Sequence, residues 1–174
     1  MRFVRLAGAW LACMLFMVSA SVVADDAESY RLTDAGLDRY ERATEAMYRY
    51  AREHPEAIAA LENEEGETED EGFDARRMAA HFDAHAPGLR EAMEASGMPL
   101  EEYFTFSVTL AASALGAAFA EQYGNPASGD MTPLQRDNLA FARKNMQRFQ
   151  AFGEKMKKQY GDMESGDGES GTEY

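Results

Sequence analysis

Eighteen consecutive residues, 103–120, carry no charge, in a chain where charged residues make up 28% of the whole. A helix that is uncharged on every side must be surrounded by other elements. Alanine, serine, threonine and glycine dilute the stretch, so burial inside a protein explains it better than a membrane span does. We therefore expect a central helix over residues 100–122 that is buried on all sides.

The rest of the sequence favours the same secondary structure. No segment alternates apolar and polar residues between turn dipeptides, and helix-forming residue types dominate. The expected fold is all-α, a helical bundle of about four main helices plus short helices, in one domain over residues 32–160. The expected buried faces lie in four segments, which are residues 37–61, 78–93, 103–120 and 139–160.

Capping residues predict where several helices begin and end. Thr33 and Asp74 are good N-caps, and Thr132 with Gln135 three residues later forms a capping box. Gly97 is a natural left-handed stop. The apolar stripe of the first helix continues through Pro55, which predicts either a kink there or a break with Pro55 as the first residue of a short second helix.

Two spacing patterns predict where helices meet. Ala112, Gly116 and Ala120 lie one above another and form a small-residue groove that a partner helix can approach closely. Asn138 and Asn145 are seven residues apart on the last helix. They either fix the register of neighbouring helices through hydrogen bonds or line a ligand pocket, and we favour the first interpretation.

Residues 1–24 have the composition of a secretory signal peptide. Arg2 and Arg5 precede an uncharged run over residues 6–18, which is shorter than the roughly 20 residues of a stable membrane span. Small residues end at Ala24, after which we expect cleavage, with cleavage after Ala20 as the alternative. The expected mature protein has no stable membrane anchor, whereas an uncleaved leader would be one.

The charge of the chain limits its partners. Removal of the leader takes away two of the 17 basic and none of the 31 acidic residues, which leaves a net charge of −16. Nucleic acids and anionic membranes would repel such a protein. The acids are dense in residues 62–72, an expected loop, and in residues 161–174, an expected disordered tail. Residues 25–31 are expected to be a flexible N-terminus.

Few residues of the mature chain suggest chemistry. The leader holds the single cysteine and the single tryptophan, and no nucleophile elbow or phosphate-binding loop is present. His81 and His85 are four apart on one helix and could share a metal ion, although packing at a helix end also explains a histidine such as His85. The methionines fall at core positions. We therefore expect no enzyme and no cofactor.

The stretch AMEASGMPLEEYFTFSVTLAASALGAAF, with the later NLAFARKN, resembles a loosely defined group of exported, all-helical bacterial proteins that have no assigned function. The resemblance covers residues 89–145, and its marks are residues 97–103 and the trio Asn138, Phe141 and Asn145. It implies a helical fold and Gram-negative export, and no catalytic residue. Such proteins favour Ser or Thr as the cap of the central helix, where this chain has Met98.

The sequence thus predicts a periplasmic or secreted acidic helical protein with a non-catalytic binding or structural role. Its partner would be a protein or a small ligand, and the sequence specifies neither which one nor the oligomeric state. The alternative is a periplasmic protein that binds copper or zinc through His81 and His85.

Overall fold

A computed structural model describes residues 29–63, 74–123 and 131–161 of the chain. Within these residues the protein is all-helical, as the sequence predicts, and contains no strand. The predicted leader, residues 64–72 of the predicted acidic loop and residues 162–174 of the predicted tail lie outside the described residues. The helices are α1 (Asp34–Glu53), α2 (Pro55–Asn63), α3 (Ala75–His85), α4 (Leu89–Ala95), α5 (Leu100–Tyr123) and α6 (Pro133–Tyr160).

The helix is interrupted at His54, between α1 and α2. Pro55 has no backbone N–H to donate into a continuing helix, so it begins α2 instead. Of the two expectations for Pro55, the break is therefore the one that occurs. Helix α2 runs on to Asn63, so residues 62 and 63 of the predicted acidic loop are helical.

The predicted caps are confirmed. Thr33 accepts a hydrogen bond from the backbone N–H of Gly36, and the Asp74 carboxylate accepts two from the first turn of α3. Gly97 has a φ of +89°, the left-handed conformation that glycine adopts without a steric penalty. Thr132 and Gln135 form both hydrogen bonds of the capping box at the start of α6.

Helix α5 is central, because α1, α3, α4 and α6 all pack against it. Its first turns carry Leu100, Tyr103, Phe104 and Phe106, each at most 3% exposed. They form the core together with residues such as Leu37. The predicted central position of this helix is confirmed for these turns.

The second half of α5 is not buried on all sides, contrary to the prediction. Ala118 is exposed and the Phe119 side chain is 58% exposed. The reason is length: a helix of 24 residues extends about 36 Å, whereas α3 and α4, with 11 and 7 residues, cover only about 16 and 10 Å. Gly116 does lie against α6, since a Cβ placed there would be 3.6 Å from Leu139 Cδ1.

Within the described residues, the stretch Leu100–Glu121 is the one helix long and apolar enough to cross a membrane by length and composition. Its most apolar window has a mean hydropathy of 1.5, and 39% of that window is buried in the protein. The buried residues are concentrated at its N-terminal end, where α5 forms the core.

Asn138 of α6 binds the segment that precedes α1. Its side chain accepts a hydrogen bond from the Leu32 N–H at 2.9 Å and donates one to the Tyr30 carbonyl oxygen at 2.8 Å. Arg31 forms an ion pair with Asp137 at 2.7 Å. Tyr30 and Arg31 therefore contact α6 in the structure, within the stretch 25–31 for which the sequence predicts a flexible N-terminus.

Candidate functional site

An apolar cavity of about 380 Å³ lies between α1, α2, α5 and α6, and Phe82 of α3 closes one side of it. The cavity is half-open to solvent. Its volume falls within the roughly 300–1,000 Å³ of small-molecule sites in proteins. No pattern in the sequence predicts it, because its wall comes from five separate helices.

The wall of the cavity is uncharged among the described residues that line it. Three methionines, Met47, Met146 and Met156, contribute thioether side chains, and their flexibility lets a wall adapt to an occupant. The sequence assigned these three to a packed core. Met156 is buried in the core and Met47 packs against it, and all three also line the cavity. The aromatic side chains of the wall are Tyr40, Tyr48, Phe82, Tyr103, Phe149 and Phe152.

Stacked rings hold α1 against α5 at one end of the cavity. The Tyr40 ring stacks on Tyr103 with 5.0 Å between ring centroids and on Phe106 with 4.9 Å. Such pairs stabilise a core beyond the area that they bury. Burial raises the pKa of the Tyr103 hydroxyl well above its ordinary value, so this hydroxyl stays neutral.

Charged side chains bridge α1 and α6 along one edge of the cavity, and we call them the ion-pair seam. The backbones of α1 and α6 approach each other closely at few positions. The two helices are joined mainly by long side chains, and there is room between them. Arg148 holds Asp38 at 2.6 Å and Glu41 at 2.7 Å, and Lys144 holds Asp34 at 2.8 Å. The pairs of the seam are Asp34–Lys144, Asp38–Arg148, Glu41–Arg148 and Glu45–Lys155.

The two acids at the start of α5 are bound by arginines from other helices, which the sequence did not reveal. Arg39 binds Glu102 through two hydrogen bonds of 2.8 and 2.5 Å, and the Tyr30 hydroxyl donates a third at 2.8 Å. The Arg90 guanidinium likewise donates two hydrogen bonds to the Glu101 carboxylate, in a bidentate pair. These acids therefore fix the ends of α1, α4 and the N-terminal segment to α5.

The Glu102 carboxylate makes stability depend on pH. Burial alone would raise its pKa, but the hydrogen bonds from Arg39 and Tyr30 and the charge of Arg39 outweigh burial and lower the pKa below the ordinary 4.5. A lowered carboxyl pKa stabilises the fold above the ordinary value, and this stability is lost as the pH falls through the lowered one. We expect Glu102→Gln to cost about 1–2 kcal/mol at neutral pH, measured by urea unfolding.

The same substitution is expected to make the acid side of the stability profile less steep, because one carboxylate no longer has to be protonated on unfolding. Glu121→Gln, at an exposed position near the other end of α5, is the matched control. Parallel profiles for the wild type and Glu102→Gln between pH 3 and pH 7 would contradict this account.

His81 and His85 lie side by side on α3, with 4.8 Å between their ring centroids, and both are half-buried. Within the described ranges, no group of three or more histidine, cysteine or acidic side chains is placed to hold a metal ion. The other histidine, His54, packs on Tyr50 with a centroid distance of 4.4 Å. The predicted metal pair is thus brought together without a third ligand from this part of the chain, and it stays a prediction.

The cavity explains one glycine inside a long helix. Gly153 lies inside the 28-residue helix α6, where a glycine costs roughly 0.5–1 kcal/mol relative to alanine. A Cβ placed on Gly153 would meet nothing within 4 Å, so packing of a neighbouring backbone does not explain the glycine. Instead, Gly153 leaves the wall of the cavity open at this point.

Comparison with known proteins finds no match for this chain among protein-family models, curated proteins or solved structures. The cavity and the composition of the chain are therefore the basis for a functional proposal.

Proposed function

We propose that this chain is an exported acidic protein that binds an apolar small molecule in the cavity between α1, α2, α5 and α6, without catalysis. The observation that carries the proposal is an uncharged wall of aromatic and thioether side chains around about 380 Å³. A half-open apolar cavity of this size is unfavourable, because its wall stays in contact with water and lacks the packing that closer helices would give. An occupant that fills it recovers that packing.

Export and the finer architecture are part of the same proposal. The composition of residues 1–24 supports a periplasmic or secreted location. We propose a bundle of four segments, α1 with α2, α3 with α4, α5 and α6, followed by a disordered acidic tail. The acidic surface would keep such a binding protein soluble while its apolar cavity stays half-open.

Gly153→Phe is the direct test of this function. The new ring would project into open space at the wall of the cavity, so it would occupy the site without a clash. We expect the dissociation constant of the fluorescent apolar probe N-phenyl-1-naphthylamine to rise about tenfold or more, the effect of displacing roughly two buried methylene groups at ~0.8 kcal/mol each. Fluorescence titration measures it.

Ala151→Phe is the matched control, because it adds the same ring two residues away on the exposed face of α6. We expect this variant to bind the probe like the wild type, and both variants to keep a cooperative unfolding transition. A wild-type protein that does not bind the probe, or equal binding by Gly153→Phe and the wild type, would rule out the cavity as a binding site.

Metal binding is the second candidate function. The 4.8 Å between the His81 and His85 rings supports it, since two imidazoles at this spacing can bind one ion. Titration with copper and zinc separates the two candidates. Absence of binding tighter than about micromolar would exclude copper or zinc binding as the function of this protein.

A further inference from the structure

Two hydroxyl groups in the wall of the cavity are hydrogen-bonded within the protein, and the amide of the wall belongs to the exposed Gln150. The Thr44 hydroxyl donates to the Tyr40 carbonyl oxygen at 2.9 Å and lies 3.3 Å from the Tyr103 hydroxyl. The Ser107 hydroxyl donates to the Tyr103 carbonyl oxygen at 2.8 Å. Across the described residues, no buried side-chain nitrogen or oxygen lacks a partner. The wall therefore presents no buried polar group that waits for a ligand.

This pairing restricts what can enter the cavity. Away from Gln150, a polar group of a ligand would lose its hydrogen bonds to water and find no buried group that lacks a partner, which weakens binding by about tenfold or more per group. Hydrocarbon carries no such penalty. The part of the ligand that lies inside is therefore hydrocarbon.

The thioether side chains of the wall suit a ligand with a flexible hydrocarbon tail better than a ligand of one rigid shape. Met47 comes from α1, while Met146 and Met156 come from α6, so flexible side chains line two facing walls. Methionine has three rotatable bonds and fills irregular gaps. A wall of this kind adapts to hydrocarbon tails that differ in length or bending.

The charge of the protein restricts the head group, which must stay in solvent at the open side. The whole chain has 31 acidic and 17 basic residues, a net charge of −14. At the edge of the cavity, the seam acids Glu41 and Glu45 are already paired with Arg148 and Lys155. An anionic head group would therefore meet a net negative field and no unpaired seam cation, whereas a cationic one would be attracted.

We propose that the ligand of this cavity is an amphiphile with a hydrocarbon tail that lies inside and an uncharged or cationic head group that stays in solvent. This inference rests on the proposed function, because it specifies the ligand class of the same cavity. The inference is narrower than the proposed function, because it excludes fatty acids and other anionic amphiphiles as preferred ligands.

Displacement of N-phenyl-1-naphthylamine from the full chain by single-chain amphiphiles tests the ligand class. Dodecyltrimethylammonium, dodecyl maltoside and dodecanoate share one tail and differ in head charge, and each is used below its micelle concentration. We expect dodecanoate to bind most weakly and this difference to shrink in 0.5 M NaCl, because salt screens the head group. Decyltrimethylammonium is expected to bind about tenfold more weakly than the dodecyl compound, since each buried methylene changes affinity about threefold to fourfold.

Three results would overturn the ligand class while leaving the proposed function intact. Tighter binding of dodecanoate than of dodecyltrimethylammonium would overturn the head-group preference. Equal affinities of the decyl and dodecyl compounds, or failure of all of them to displace a probe that does bind, would overturn the hydrocarbon tail. Failure of the probe itself to bind contradicts the proposed function instead. Gly153→Phe controls for displacement from other surfaces, because its loss of alkyl binding is expected to match its loss of probe binding.

Discussion

Replacement of Phe104 by alanine is expected to lower the free energy of unfolding by about 3–5 kcal/mol, the usual cost of removing a buried phenylalanine ring. Phe104 has no exposed surface, and its ring contacts Phe82 of α3 at 5.1 Å and Tyr103 at 5.7 Å between centroids. The cavity left behind cannot close, because two other rings frame it. Urea unfolding followed by far-ultraviolet circular dichroism measures the loss.

Phe119→Ala is the matched control on the same helix. The Phe119 side chain is 58% exposed, and we expect a change below about 1 kcal/mol. The pair of variants tests the finding that α5 is buried in its first turns and only partly covered in its last ones. Losses of similar size for both phenylalanines would mean that α5 is buried along its whole length.

Removal of the Asn138 side chain is the second large expected effect. Asn138→Ala would leave the Leu32 N–H and the Tyr30 carbonyl oxygen without their partner, in a segment where Leu32 is only 5% exposed. An unpaired buried polar group costs about 1–3 kcal/mol. We expect a total loss of about 2–4 kcal/mol, and faster hydrogen exchange at the Leu32 amide.

Asn145→Ala controls for the loss of a buried asparagine from the same helix. The Asn145 amide donates to the Asp34 carboxylate at a long 3.4 Å and to the Phe141 carbonyl oxygen at 3.1 Å. Its removal therefore takes away weaker hydrogen bonds than the removal of the Asn138 side chain does. We expect a loss below about 1 kcal/mol. If the two asparagine variants lose equal stability and the Leu32 amide exchanges at its wild-type rate, Asn138 does not hold the N-terminal segment.

The sequence predicted best what depends on neighbours along the chain. Thr33, Asp74, Gly97 and the Thr132 capping box mark helix ends in the structure, because a cap satisfies backbone groups within its own turn. Pro55 was predicted to interrupt the first helix, since the missing N–H is a local property too. The all-helical fold follows from the same local preferences.

Contacts between distant segments were less predictable. The sequence marked Asn138 as a register-fixing residue but gave no sign that its partners are Leu32 and Tyr30, more than 100 positions away. It placed Glu101 and Glu102 at a helix start, where acids are ordinary, and could not assign Arg90 and Arg39 to them. Such pairs depend on how helices are arranged, and charge patterns along one helix do not encode that arrangement.

The candidate site shows this division most clearly. The sequence by itself determined helix ends, the uncharged character of α5 and the acidic composition of the chain, because these are set by composition and by interactions within a few residues. Only the tertiary structure showed that Met47, Met146 and Met156 line a cavity besides packing at or near the core. The physical reason is that apolar residues at helical spacing satisfy a packed core and a cavity wall equally well. The ion-pair seam likewise joins α1 to α6 through residues more than 100 positions apart, a pairing that only the arrangement of the helices decides.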